Sequence, residues 1–231
     1  MCKESSISVK TLSIAATLGV VVWAMIGCGV ISSVRPLGQG KHSLTFAVGG
    51  PFADYYGGSK PIPYGLVRYR RGLTERTDFY ASYHLTPAIF GILGLDFGIA
   101  KQYAVQNSIR PAVNIGGGLN FFFQAYDTSH SLSFDPKTFR AFPQVFFVGS
   151  YDVKSHLIYF GADNMLQWTS PYLVTALVLG GEYRWSRLFR TTLETRWFAP
   201  WENSTFRAVN YTAPIFKHGD IGLVLGLNLY F

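Results

Sequence analysis

Histidine, serine and aspartate recur in this chain in the combination that hydrolases use. His84, His130 and His218 are candidate general bases, Ser131 and Ser133 candidate nucleophiles, and Asp127, Asp135 and Asp220 carboxylates able to orient a base. Such chemistry needs the base within about 3 Å of its nucleophile, and spacing along a chain sets no such distance. No lipid-deacylase, phospholipase or protease pattern surrounds these residues, and 130–133 reads as a polar loop. No His, Cys, Asp and Glu cluster falls at metal-ligand spacing. Neither a metal nor another cofactor is therefore expected, and catalysis is not the leading expectation.

A second chemistry is ion pairing. Arg68, Arg70, Asp78, Asp96, Asp152, Asp163, Glu182, Arg184, Arg190, Glu194 and Arg196 occur in segments where apolar and polar residues alternate, on the polar side of each. Side chains of a strand point alternately to its two faces. Glu182 and Arg184 thus share a face with Arg190, Glu194 and Arg196 on the next segment. Exposed cross-strand pairs contribute roughly 0.2–1 kcal/mol each, whereas breaking a buried pair costs about 3–5 kcal/mol. These charges either fill a polar interior or line a narrow pore or small-solute site.

The elements that would position them are strands. The chain has 231 residues, 48% hydrophobic, 16% aromatic and only 14% charged, with 24 glycines. After the amino-terminal segment no apolar run reaches the roughly 18 residues of a membrane helix. The apolar residues alternate instead, over 43–50, 64–71, 77–86, 90–101, 113–124, 142–152, 156–165, 173–185, 189–198 and 220–231. That is about ten strands, near the roughly 9–11 residues needed to cross a membrane at a tilt. Eight is the alternative if 156–165 is not a full strand. Short and long connections largely alternate, as in barrels with short periplasmic turns and longer external loops. A soluble sandwich or lipocalin-like barrel shares the alternation with its faces exchanged. The net charge of +7 raises nucleic acid as a partner. The basic residues lie singly or in pairs near turns, so no nucleic-acid partner is expected.

The last strand is the most specific. Ile221, Leu223, Leu225, Leu227, Leu229 and Phe231 alternate with Asp220, Gly222, Val224, Gly226, Asn228 and Tyr230. It resembles the closing strand of bacterial outer-membrane β-barrels, whose terminal Phe is read by the barrel-assembly machinery. The resemblance implies that Phe231 is an assembly signal.

At the other end, Lys3 and Lys10 precede an apolar stretch, 11–27, which Cys28 follows. A charged start, an apolar middle and a small residue before the cut make an export signal. Met25-Ile26-Gly27-Cys28 resembles the bacterial lipobox, with Met25 where Leu is usual. The resemblance implies cleavage after Gly27 and acylation of Cys28, with lipoprotein-sorting machinery as a partner. An uncleaved anchor helix running through Val30 and Ile31, or a plain signal peptide, are the alternatives. Cys2 and Cys28 are the only cysteines, so the body carries no disulfide. The sequons Asn203-Ser204-Thr205 and Asn210-Tyr211-Thr212 read as ordinary loop residues.

The expectation is an all-β, antiparallel transmembrane barrel: a signal peptide over 1–27, a lipidated tether over 28–41 and the barrel over 42–231. Its setting is the outer membrane, with the amino terminus anchored on the periplasmic side. Arg71, Arg76 and Arg187, near turn tips, are expected to meet phospholipid head groups of the inner leaflet. The expected role is structural, or surface binding through the external loops, with a narrow solute pore as alternative and a rim hydrolase as second alternative.

Overall fold

The computed structural model describes residues 34–54, 59–61, 64–125, 136–203 and 212–231. Ten strands close into one antiparallel barrel. They are β1 (His42–Asp54), β2 (Tyr64–Thr74), β3 (Thr77–His84), β4 (Ile92–Ala104), β5 (Ala112–Gln124), β6 (Arg140–Val153), β7 (His156–Leu166), β8 (Leu173–Arg184), β9 (Phe189–Asn203) and β10 (His218–Tyr230). Each pairs with its sequence neighbours, and β1 closes the ring on β10 from Ser43 opposite Tyr230 to Pro51 opposite Gly222. The segment 156–166 pairs along its length with both β6 and β8, which excludes eight strands. A short strand, Ser59–Pro61, pairs with the end of β1 outside the ring.

The third strand ends at His84, earlier than its alternation predicts. Residues 85–89 form one helical turn instead. Pro87 lacks the N–H that a continuing strand would use but suits a first helical turn. The Thr86 hydroxyl accepts the Gly65 N–H at 2.7 Å, tying the turn to β2.

The two faces divide as the alternation implies. Phe46, Phe97, Ile99, Phe147, Ile158, Leu179, Leu193, Leu223 and Leu225 are exposed on the outer wall. Exposed aromatics ring both ends: Phe90, Trp168, Tyr172 and Trp201 at the long-loop end, Tyr103, Tyr183, Trp185 and Phe231 at the short-turn end. Inward positions carry buried Arg, Asp, Glu, Asn and Tyr side chains. An apolar outside and a polar inside invert a soluble barrel and match a membrane-spanning one. Along β10 the outward row from Ile221 to Leu229 covers about 26 Å at about 3.3 Å per residue. Tilted by about 40°, that is roughly 20 Å of apolar thickness. No described helix is long and apolar enough to cross a membrane.

The inward glycines do not leave the lumen empty. A Cβ on Gly116 would meet the Phe146 ring at 2.1 Å, and one on Gly180 the Tyr159 ring at 2.4 Å. Gly98 and Gly118 both seat the Tyr80 hydroxyl. Each glycine is the floor beneath an aromatic side chain from elsewhere in the ring. Tyr80, Phe146 and Tyr159 join Val148, Leu157 and Val178 in a buried cluster.

Val34 packs against that same cluster. The described part of the segment 28–41, expected as the tether, therefore enters the barrel at Val34. Gly38 (φ 88°) and Gly40 (φ 74°) turn it back toward β1 in the left-handed region that glycine tolerates.

Candidate functional site

The lumen is the place where the polar side chains converge. Its middle level is a belt of buried charges. From β2, the Arg68 guanidinium meets both Asp96 carboxylate oxygens on β4, at 3.1 and 3.0 Å. Ser82 on β3 donates to the same carboxylate at 2.9 Å, and the Tyr80 ring lies 5.0 Å beneath the guanidinium. On the far wall, Arg196 Nε donates to Glu194 Oε2 at 2.8 Å, both on β9. Tyr159 on β7 donates to the other Glu194 oxygen at 2.9 Å. Arg196 also approaches Asp163 on β7 at 3.6 Å. Gln144 donates to Asp163 and accepts from Asn120, which carries the network to β6 and β5. Arg196 and Glu194 have 0% of their surface exposed.

The anticipated pair set is redistributed. Arg190 meets Glu182 across the β8–β9 hairpin at 2.8 Å, while Glu194 and Arg196 pair along one strand. Arg184 is exposed at the end of β8, with no ion pair among the described residues. Asp152 lies at the rim, paired with Arg35 at 3.1 Å.

Above the belt, at the short-turn end, residues 34–37 cross the mouth. Asn114 donates to the Val34 carbonyl at 2.6 Å and Arg70 to the Arg35 carbonyl at 2.7 Å. Arg70 also pairs with the fully buried Asp78 at 2.5 Å. Beside this segment lies a cavity of about 360 Å³. One wall is a ladder in which Thr45 donates to Asn228 and Asn228 to Thr192, each at 2.7 Å. Beside it on the same strands Arg190 stacks on the Tyr230 ring at 4.0 Å, with the Tyr230 hydroxyl donating to Glu182 at 3.0 Å. The involvement of residues 34–37 had no sequence signal: neither Arg35 nor Leu37 sits in an alternating segment.

The hydrolase candidates do not converge on an open site where they are described. His84 lies on the long-loop side, but its ring points inward and is buried between Asp96, at 3.1 Å, and the Tyr64 hydroxyl. Tyr64, His84 and Asp96 thus lie in one buried row, and neither Tyr64 nor His84 lines the mouth cavity. His218 is exposed, and its backbone bridges to Ile215. Asp220 is buried and accepts the Ala213 N–H at 2.7 Å. His130, Ser131, Ser133, Asp127 and Asp135 lie outside the described residues, as does Cys28. No group of three or more His, Cys, Asp and Glu among the described residues forms a metal site.

No family model matches the chain, and no curated protein matches it. Solved structures resemble it at a distance. An outer-membrane channel from Pseudomonas putida F1 aligns over 88% of this chain and 100% of its own, at 11% identity and a TM-score of 0.44. The translocator domain of the autotransporter NalP from Neisseria meningitidis aligns over 96% of both chains, at 9% identity and TM-score 0.43. The monoaromatic hydrocarbon channel CymD aligns over 91% of this chain and 96% of its own, at 10% identity and TM-score 0.36. Likenesses this distant carry nothing about what this barrel binds or conducts.

Proposed function

We propose that this protein is an outer-membrane barrel that serves as a closed scaffold, structural or surface-binding through its long loops rather than conducting. The carrying observation is that Arg196 and Glu194, inward and near mid-strand, are wholly shielded from solvent. In a water-filled channel the residues lining the middle of the lumen are wet. Here aromatic rings seated on glycines and a belt of paired charges occupy that level. The apolar outer wall between two aromatic rims supports the membrane setting. Acylation of Cys28 would hold the amino terminus at the periplasmic leaflet, on the same side as the short turns. Several acyl chains, at about 0.8 kcal/mol per buried methylene, make a strong anchor.

The test is conductance. Purified full-length protein reconstituted into planar bilayers is expected to give no discrete current steps. Reproducible unitary steps from the folded barrel would replace the closed scaffold with the pore reading.

A further inference from the structure

The cavity at the short-turn mouth is a cup whose walls carry more positive than negative charge. Arg35, Arg68, Arg70 and Arg190 line it, and each has a carboxylate partner: Asp152, Asp96, Asp78 and Glu182. Two further cations line it, Lys41 and Arg187, and neither has a carboxylate partner among the described residues. Glu75, at the same rim, accepts the Gln39 N–H at 3.4 Å and is not part of the lining. The α-carboxylate of Phe231, which also lines the cup, offsets one of them, so the opening carries an excess of one positive charge, with Lys41 and Arg187 exposed.

We infer that the cup binds a phosphate group carried by a small molecule or by a lipid head group. A phosphate carries one to two negative charges near neutral pH, which the excess positive charge at the opening attracts. The fork of an arginine and the point charge of a lysine are both suited to phosphate oxygens. The volume, about 360 Å³, is in the range of small-ligand pockets. The site is also rigid before a ligand arrives. The Thr45–Asn228–Thr192 ladder and the Arg190–Tyr230–Glu182 cluster hold the walls through bonds of 2.7 to 3.0 Å. Walls already ordered reduce the entropy lost on binding. Leu66 and Leu157 add apolar surface for whatever the phosphate is attached to. Arg187, expected to meet phospholipid head groups from a turn tip, is one of the lining residues.

The test uses the full-length barrel in zwitterionic detergent free of anionic lipid. Glycerol 3-phosphate is titrated and followed by ³¹P NMR. In parallel, native mass spectrometry counts phosphatidylglycerol molecules retained after mild delipidation. Lys41→Glu and Arg187→Glu are exposed positions whose reversal leaves the packed lumen untouched, and Arg71→Glu reverses an exposed rim charge outside the cup. Each cup reversal is expected to weaken binding about tenfold, as a sign change at contact range does in an intermediate dielectric, while Arg71→Glu leaves it unchanged. Saturable glycerol 3-phosphate binding with this pattern identifies a free phosphate ester. Retention of one phosphatidylglycerol per barrel with the same pattern, and no soluble binding, identifies a head group. No saturable binding in either arm, or equal loss with Arg71→Glu, overturns the inference.

Discussion

The backbone N–H of Leu37 donates to both oxygens of the Asp78 carboxylate, at 3.1 and 3.3 Å. Asp78 is fully buried and also holds Arg70, which in turn grips the Arg35 carbonyl. One carboxylate on β3 thus fastens the amino-terminal segment inside the mouth. Hydrogen bonds to a charged group contribute about 1.5–3 kcal/mol each. Asp78→Ala is expected to release residues 34–37. A Val34→Cys probe, with Cys2 and Cys28 changed to Ser, should then react with a water-soluble maleimide at least about tenfold faster than in the parent, by that energy. An unchanged rate would mean that Val34 packing alone holds the segment.

Phe231 sits at the closing seam. Its ring stacks on His42 at 5.7 Å, and its backbone exchanges two hydrogen bonds with His42, at 2.8 and 3.0 Å. The ring is itself 67% exposed, so it adds little burial to the barrel. Deleting Phe231 is expected to lower the membrane-inserted fraction during biogenesis more than it lowers the urea midpoint of barrel that has already folded. Normal abundance and insertion kinetics in cells would remove its role as an assembly signal.

Depth along the outer wall gives a graded test. Leu225 and Leu229 lie on the same outward row of β10, the first near mid-strand and the second one residue before its end. Arg at the bilayer midplane costs about 2–4 kcal/mol, and near the interface about 0–1 kcal/mol. Leu225→Arg is therefore expected to destabilise the barrel in lipid vesicles by about 2 kcal/mol or more relative to Leu229→Arg. Equal effects would mean that this face does not meet hydrocarbon.

Strand number and the direction of each face were legible because a period of two, repeated ten times, leaves little freedom once one face must be apolar. Ser43 and Thr45 inward against Phe46 and Val48 outward follow from that period alone. The interior was less legible. Alternation says that Glu182, Arg190, Glu194 and Arg196 point inward but not how far along the axis each one sits, so it leaves the partners open. What fills the space above glycines such as Gly116 and Gly180 is not legible along one strand, because the rings concerned, Phe146 and Tyr159, arrive from neighbouring strands. The burial of Asn120 and its bond to Gln144 on the next strand are hidden for the same reason. Residues 34–37 carry no periodicity, so their entry into the mouth is set by tertiary bonds.

The belt itself makes the sharpest prediction. Arg196 is fully buried with Glu194 at 2.8 Å and Asp163 at 3.6 Å, and Glu194 also accepts from Tyr159. Removing one member of a buried ion pair leaves the other charge without compensation, which costs about 3–5 kcal/mol. Glu194→Ala is expected to lose about that much in urea unfolding from phosphocholine vesicles. Arg196 would then rely on Asp163 alone, at a distance too long for a hydrogen bond. The pair itself is not the source of net stability, because desolvating both charges offsets most of their attraction. The triple variant Asp163→Asn, Glu194→Leu, Arg196→Met replaces the belt with neutral groups of similar bulk. It is expected to recover to within about 1 kcal/mol of the parent, or to exceed it. Tyr159→Phe serves as the reference for the hydroxyl that loses its acceptor, at about 1 kcal/mol. If the triple variant is as unstable as Glu194→Ala, the belt stabilises through a specific geometry that bulk cannot replace. If Glu194→Ala is nearly neutral, water reaches Arg196, and the closed lumen that the proposed function rests on falls with it.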